Sequence, residues 1–219
     1  MDGEWRTING VHVLIGKDGS ILKGPKALQK SDVQKRLKKQ FESKNKELEK
    51  KIENIRNSKK ENLIVTDENG NIIHEEIGSK NHTGYEDFDY KNTITYHNHP
   101  EGVAPYPSEQ DFKTLEKTGM KKMVVVSKNY TFEYSLDEDY KGYGRQGMSG
   151  VIQMHNTDIA IMKQNLRQEV TDDFKKGKYS SGKEATVELN KQITNEIIKK
   201  YEQYAKNSGY KLVVKKKGA

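Results

Sequence analysis

The hydrophobic and polar positions switch repeatedly between strand and helix periods along the chain, and each change marks an element. The run Val11-His12-Val13-Leu14-Ile15-Gly16, the turn signal Asp18-Gly19 and then Ile21-Leu22 predict a small hairpin within residues 1–30, with Trp5 ahead of it. Residues 31–60 change to helical spacing. Apolar side chains recur at Val33, Leu37, Phe41, Leu48, Ile52 and Ile55, behind the capping-box spacing Ser31-Asp32-Val33-Gln34. From Asn62 the pattern returns to strands. Leu63 to Thr66 and Asn71 to Ile77 flank an Asn69-Gly70 turn, and Thr93 to His97 predicts a third strand. Ser108 then caps a short helix, Glu109 to Lys117, closed by Gly119. Met123 to Ser127 and Tyr130 to Leu136 are two further strands. Residues 137–150 read as a linker. Ile159, Met162, Leu166 and Val170 mark one more helix, and Leu189, Ile193, Ile197, Tyr201 and Tyr204 another. Tyr210 to Val214 has strand character, and Lys215 to Lys217 reads as a frayed tail.

This order predicts an α+β fold: a mixed β-sheet with a short helix after a loop, flanked by long helices. The expected divisions are an N-terminal hairpin segment (1–30), a basic helical arm (31–60), a central module (61–140) and a basic helical C-terminal region (141–219).

Composition alters the picture in four ways. Hydrophobic residues are only 32% of the 219, with a mean hydropathy of −1.01, which implies a modest core and solvated helices. There is no cysteine, so any metal must sit on His, Asp or Glu. There is no apolar run long enough to span a bilayer and no signal-peptide core, so the expectation is a soluble, cytoplasmic protein with no membrane partner. The net charge of +7 is uneven: residues 1–60 and 141–219 each carry an excess of 8 positive charges, and residues 61–140 an excess of 9 negative ones. Basic arms around an acidic middle fit either solvated helices or surfaces for nucleic acid or an acidic partner. The helical arms also leave room for a homo-oligomer.

The chemistry concentrates at Tyr96-His97-Asn98-His99-Pro100. Residues two apart on a strand face the same way, so both imidazoles can aim at one point. Asp111 follows in the first turn of the short helix. Two nitrogens and one carboxylate oxygen make a three-donor site with a fourth position for water, a catalytic rather than structural zinc pattern. Ser108-x-x-Asp111 also has capping-box spacing, which needs no metal.

His97-Asn98-His99-Pro100, followed by Pro107-Ser108-x-x-Asp111, resembles the motif of the JAMM (MPN-type) metallopeptidases, in the HNHP form of RadC-like proteins. Residues 61–136 are most similar to JAMM-like modules attached to phage head-associated proteins. The resemblance implies Zn²⁺ on His97, His99 and Asp111. It also implies Ser108 as donor to the developing oxyanion and a glutamate as general base. By position that base is Glu61, with Glu75 and Glu76 as alternatives. The eight residues between His99 and Ser108 are one more than the family's usual spacing. The implied activity is zinc-dependent hydrolysis of a peptide or isopeptide bond in a protein or peptide substrate. The alternatives are a non-catalytic JAMM-like part of a phage- or virion-associated, host-interaction or anti-defence protein, and a nucleic-acid-associated RadC-like protein.

Overall fold

A computed structural model of the chain describes residues 3–8, 11–16, 19–25, 31–79, 88–136, 140 and 147–218. Among them four helices and nine strands form a mixed α+β structure. Strands β1 (Gly3–Ile8), β2 (Val11–Gly16) and β3 (Ile21–Lys23) make a small antiparallel sheet. Helix α1 (Ser31–Arg56) follows. The larger sheet holds β4 (Asn62–Thr66), β5 (Ile72–Ile77), β6 (Ile94–Asn98), β7 (Lys122–Val126), β8 (Tyr130–Leu136) and β9 (Tyr210–Lys216), in the order β5-β4-β6-β7-β8-β9. Helix α2 (Glu109–Thr118) is the crossover from β6 to β7, the sheet's parallel pair. Helices α3 (Gly147–Lys175) and α4 (Gly182–Ser208) precede β9.

The two faces of the sheet follow from the period of two. Leu63, Val65, His97, Met123, Val125, Phe132 and Tyr134 are all buried. The apolar members of this set form one core with Phe112 and Leu115 of α2, Ile159 of α3, and Ile193, Ile197 and Tyr201 of α4. Phe112 meets Tyr134, Tyr201 and Tyr210 at ring-centroid distances of 4.9, 5.5 and 5.7 Å, so one α2 side chain ties sheet, α4 and β9 together. The core therefore runs across the expected division at residue 140.

The other face carries α1. Lys51 reaches Glu75 at 2.7 Å, and the Arg56 guanidinium donates to the Ser127 carbonyl, to the Tyr130 carbonyl at 2.9 Å and to the Thr131 hydroxyl at 2.7 Å. The thin apolar stripe of α1 has a second contact, because Leu37 packs on the Val13–Ile15–Ile21 cluster of the small sheet. The first hairpin thus gains the partner that a lone hairpin needs in water.

The structure differs from the sequence expectation at three places. Gly3–Ile8 is a third strand of the small sheet, although its mixed polarity gives no strand signal; Trp5 is 58% exposed on it. The Lys215–Lys217 tail is not frayed. Strand β9 runs through Lys216, Lys215 pairs with Glu133 and Lys217 with Glu53, and the Lys217 amide bonds the Asn129 carbonyl. A basic run at a chain end reads as solvated until opposite charges stand across from it. Finally, the linker expected at 137–150 gives way to α3 from Gly147, while 137–139 and 141–146 lie outside the described residues. So does the loop segment 80–87, although Phe88 and Tyr90 beyond it pack on one another and Phe88 stacks on His74. No helix among the described residues is long and apolar enough to cross a membrane.

The tie from α1 to the sheet is testable. Arg56→Ala leaves two carbonyls and a hydroxyl without a charged donor and is expected to destabilise by about 2 kcal/mol. Lys50→Ala, at an exposed position of the same helix, is expected to stay within about 0.5 kcal/mol of wild type. Urea unfolding of the two variants checks this.

Candidate metal centre

Strand β6 ends as expected, with His97 inside the sheet and His99 just past it. The His99 amide still bonds the Val126 carbonyl at 2.8 Å, so the backbone stays extended through both histidines. Their side chains share a face. The two Nε2 atoms lie 3.3 Å apart, and the rings are tilted by 51°. His97 is fully buried and His99 is 7% exposed.

Helix α2 brings the carboxylate. Ser108 is its N-cap, with extended backbone, and Gly119 closes it in the left-handed conformation at φ 70°. The capping box is complete: the Asp111 amide donates to Ser108 Oγ, and Asp111 Oδ2 accepts from the Ser108 amide at 2.6 Å and from Ser108 Oγ at 2.7 Å. Asp111 also faces both imidazoles. Oδ1 lies 3.2 Å from His97 Nε2, and Oδ2 lies 3.5 Å from His99 Nε2. The capping and ligand roles of Asp111 are thus compatible. Ser108 is exposed, and its hydroxyl proton is directed at Asp111.

Glu61 completes the cluster. In the antiparallel register Leu63 stands opposite His97, which places Glu61, two residues earlier, at the level of His99. The Glu61 amide bonds the Ser79 carbonyl and its carbonyl accepts from the Gly78 amide, both at 2.8 Å, so the end of β5 holds this residue from its other side. One ligand atom from each of Glu61, His97 and His99 lies within 4.8 Å of the others, and all three residues are buried. The alternatives for this carboxylate stand elsewhere. Glu75 pairs with Lys51 on the α1 side of the sheet. Glu76 is opposite Leu63, two strands or about 10 Å from His97, and lies 3.9 Å from His74.

The donors suit a small divalent cation. Bonds of about 2.0–2.1 Å in a tetrahedron separate ligand atoms by about 3.3–3.4 Å, and the imidazole–imidazole and imidazole–carboxylate separations here are 3.2–3.5 Å. His99 Nδ1 lies 2.8 Å from the Ala104 carbonyl, so Nδ1 carries the proton and Nε2 is left with its lone pair toward the cluster. Burial alone pushes His99 down, but Asp111, the Ala104 carbonyl and Glu61 outweigh it and leave its pKa raised. Burial pushes Asp111 up, but the two imidazoles outweigh it and hold its carboxyl well below the usual range.

Three contributors to the site carry no sequence signal of their own. The Ala104 carbonyl is backbone. Tyr201 of α4 donates from its hydroxyl to the Pro107 carbonyl at 3.1 Å, anchoring the loop before Ser108, and in sequence it is one more position of an apolar stripe. Asn98 lies between the two histidines, on the opposite face of the strand from both.

No family model, curated protein or solved structure matches this chain.

The His99–Asp111 contact predicts a pH dependence of the metal-free protein. The folded pKa of His99 is raised above its ordinary 6.5, so its contribution is complete below that value and is lost as pH rises through the folded value. The folded pKa of Asp111 is depressed below its ordinary 3.8, so its contribution is complete above that value and is lost on acidification through the folded one. Both act in full between the two ordinary values. With a chelator present, the loss of Tm on Asp111→Asn is therefore expected to be larger at about pH 5.5 than at about pH 8.5. A loss that does not shrink on going to the higher pH removes the charged pair from the account.

Proposed function

We propose that the chain is a zinc-dependent peptidase or isopeptidase of JAMM type. The observation that supports this best is the convergence of His97, His99 and Asp111 at tetrahedral-edge separations, with the Glu61 carboxylate beside the two imidazoles. A metal that serves only structure is usually closed by four protein donors. Here the fourth group, the Glu61 carboxylate, stands beside the two imidazoles, which supports a base rather than a further closing donor.

His97 and His99 would hold Zn²⁺ through Nε2 and Asp111 through its carboxylate. When bound, zinc would supply an acidified water and polarise a carbonyl. Glu61 then takes the proton of the attacking water and returns it to the leaving amine. The Ala104 carbonyl keeps His99 in the tautomer that can ligate. Ser108 orients Asp111 through its amide and hydroxyl. To donate to a tetrahedral oxygen as well, its hydroxyl has to turn away from Asp111 Oδ2.

That bond of Ser108 favours a second reading, a module that holds the metal without hydrolysis. Metal analysis and hydrolysis together separate the two. Wild type is expected to carry about one zinc per chain, lost in His97→Ala and kept in Glu61→Gln. Release of new amino groups, from a proteome-derived peptide mixture and from isopeptide-linked model peptides, is expected to fall about 100-fold or more in Glu61→Gln. Wild type that takes up no zinc sinks both readings. Zinc bound without any hydrolysis leaves the second.

A further inference from the structure

We infer that Asn98, between the two histidines, is the positioning residue for Glu61. The inference rests on the zinc reading above and concerns how the chain aims its base. Asn98 is fully buried, and its side chain leaves the strand opposite to those of His97 and His99. Its Oδ1 accepts from the Asn62 amide at 2.8 Å and from Asn62 Nδ2 at 3.2 Å, and its Nδ2 donates to the Lys60 carbonyl at 3.0 Å. The Lys60 carbonyl belongs to the peptide plane before the Glu61 Cα, and the Asn62 amide to the plane after it. One carboxamide therefore grips both planes. Those planes set the two backbone torsions of Glu61, and with them the direction of its Cα–Cβ bond.

The arrangement needs the chemistry of asparagine. One group must accept on one side and donate on the other, at a fixed separation, within a buried space. A serine at this position is too short to reach both planes, and an aspartate accepts but does not donate to Lys60. Asn62 adds a bond of its own, from Nδ2 to the Lys60 carbonyl at 2.7 Å, so the bend before β4 is closed from both strands. The residue that links the histidine strand to the glutamate is thus part of the histidine motif. Misplacing a reacting group by about 1 Å can cost about 100-fold in rate, so a rigid link between metal ligands and base has a direct use.

The test loads Co²⁺ in place of zinc and compares the visible absorption of wild type, Glu61→Gln, Asn98→Ala and the double variant. Glu61→Gln is expected to shift the Co²⁺ bands in wild type. In the Asn98→Ala background that shift is expected to fall to about half or less, with Co²⁺ still near one per chain. Amide exchange of Asn62 is expected to speed up in Asn98→Ala. Asn98→Asp keeps the acceptor for Asn62 and loses the donor to Lys60; its effect is expected to be intermediate, and it carries the comparison if Asn98→Ala does not fold. Equal shifts in the two backgrounds, unchanged Asn62 exchange, or loss of Co²⁺ from Asn98→Asp each overturns the positioning role while the zinc reading stands. Wild type that binds neither Co²⁺ nor zinc removes that reading, and this inference with it.

Discussion

The antiparallel register of β4 against β6, with Leu63 opposite His97, decides what the sheet can present at its end. It sets Glu61 level with His99 and Asn62 level with Asn98, so a carboxylate and two imidazoles meet at one corner. Side chains alternate along a strand, so a slip of one residue would turn the Leu63 and Val65 positions out of the core and send Glu61 to the α1 side. Core packing therefore enforces the placement of the polar cluster. Leu63, Val65, Met123 and Val125 belong to the larger of the two apolar clusters among the described residues. The parallel partner β7 adds a second restraint, because its last residue, Val126, holds the His99 amide and keeps the strand straight beyond its formal end.

The same corner gathers two carboxylates and two imidazoles where water is largely excluded. Such a group is costly unless cations balance its negative charge. Protonation of His99 would supply part of that balance, which is why Asp111 and Glu61 more than offset the lowering of its pKa by burial. The start of α2 supplies more, since its free amides favour the Asp111 carboxylate. A divalent cation would replace the proton with a stronger and better-directed charge.

Much of this corner is legible in the sequence, because short periods suffice for it. The spacing of His97 and His99 is a strand argument, and Ser108-x-x-Asp111 is a helix-start argument. The capping and ligand roles of Asp111 coexist because a carboxylate has two acceptor oxygens. Its Oδ1 faces His97, and its Oδ2 accepts from the Ser108 amide and hydroxyl while also facing His99. The separation of Glu61 from Glu75 and Glu76 needs the pairing of β4 with its neighbours, which local pattern does not contain. Charge was the least legible feature. The basic flanks fitted either solvated helices or a surface for an outside partner, and the pattern held no sign that Lys51, Lys215 and Lys217 pair with Glu75, Glu133 and Glu53 of the same chain.

The hydroxyl of Tyr201 grips the Pro107 carbonyl across 94 positions of sequence. Pro107 ends the loop that leads to the α2 cap, so that loop lacks its anchor until α4 exists. Translation runs from the amino end, and contacts this distant close late and slowly. A ribosome that has released the histidines, the aspartate and the glutamate has therefore not yet released the residue that secures them. A nascent fragment ending before α4 would carry all the donor atoms, with the loop held at Ala104 and at the Ser108 cap but without the hydroxyl that grips Pro107 between them.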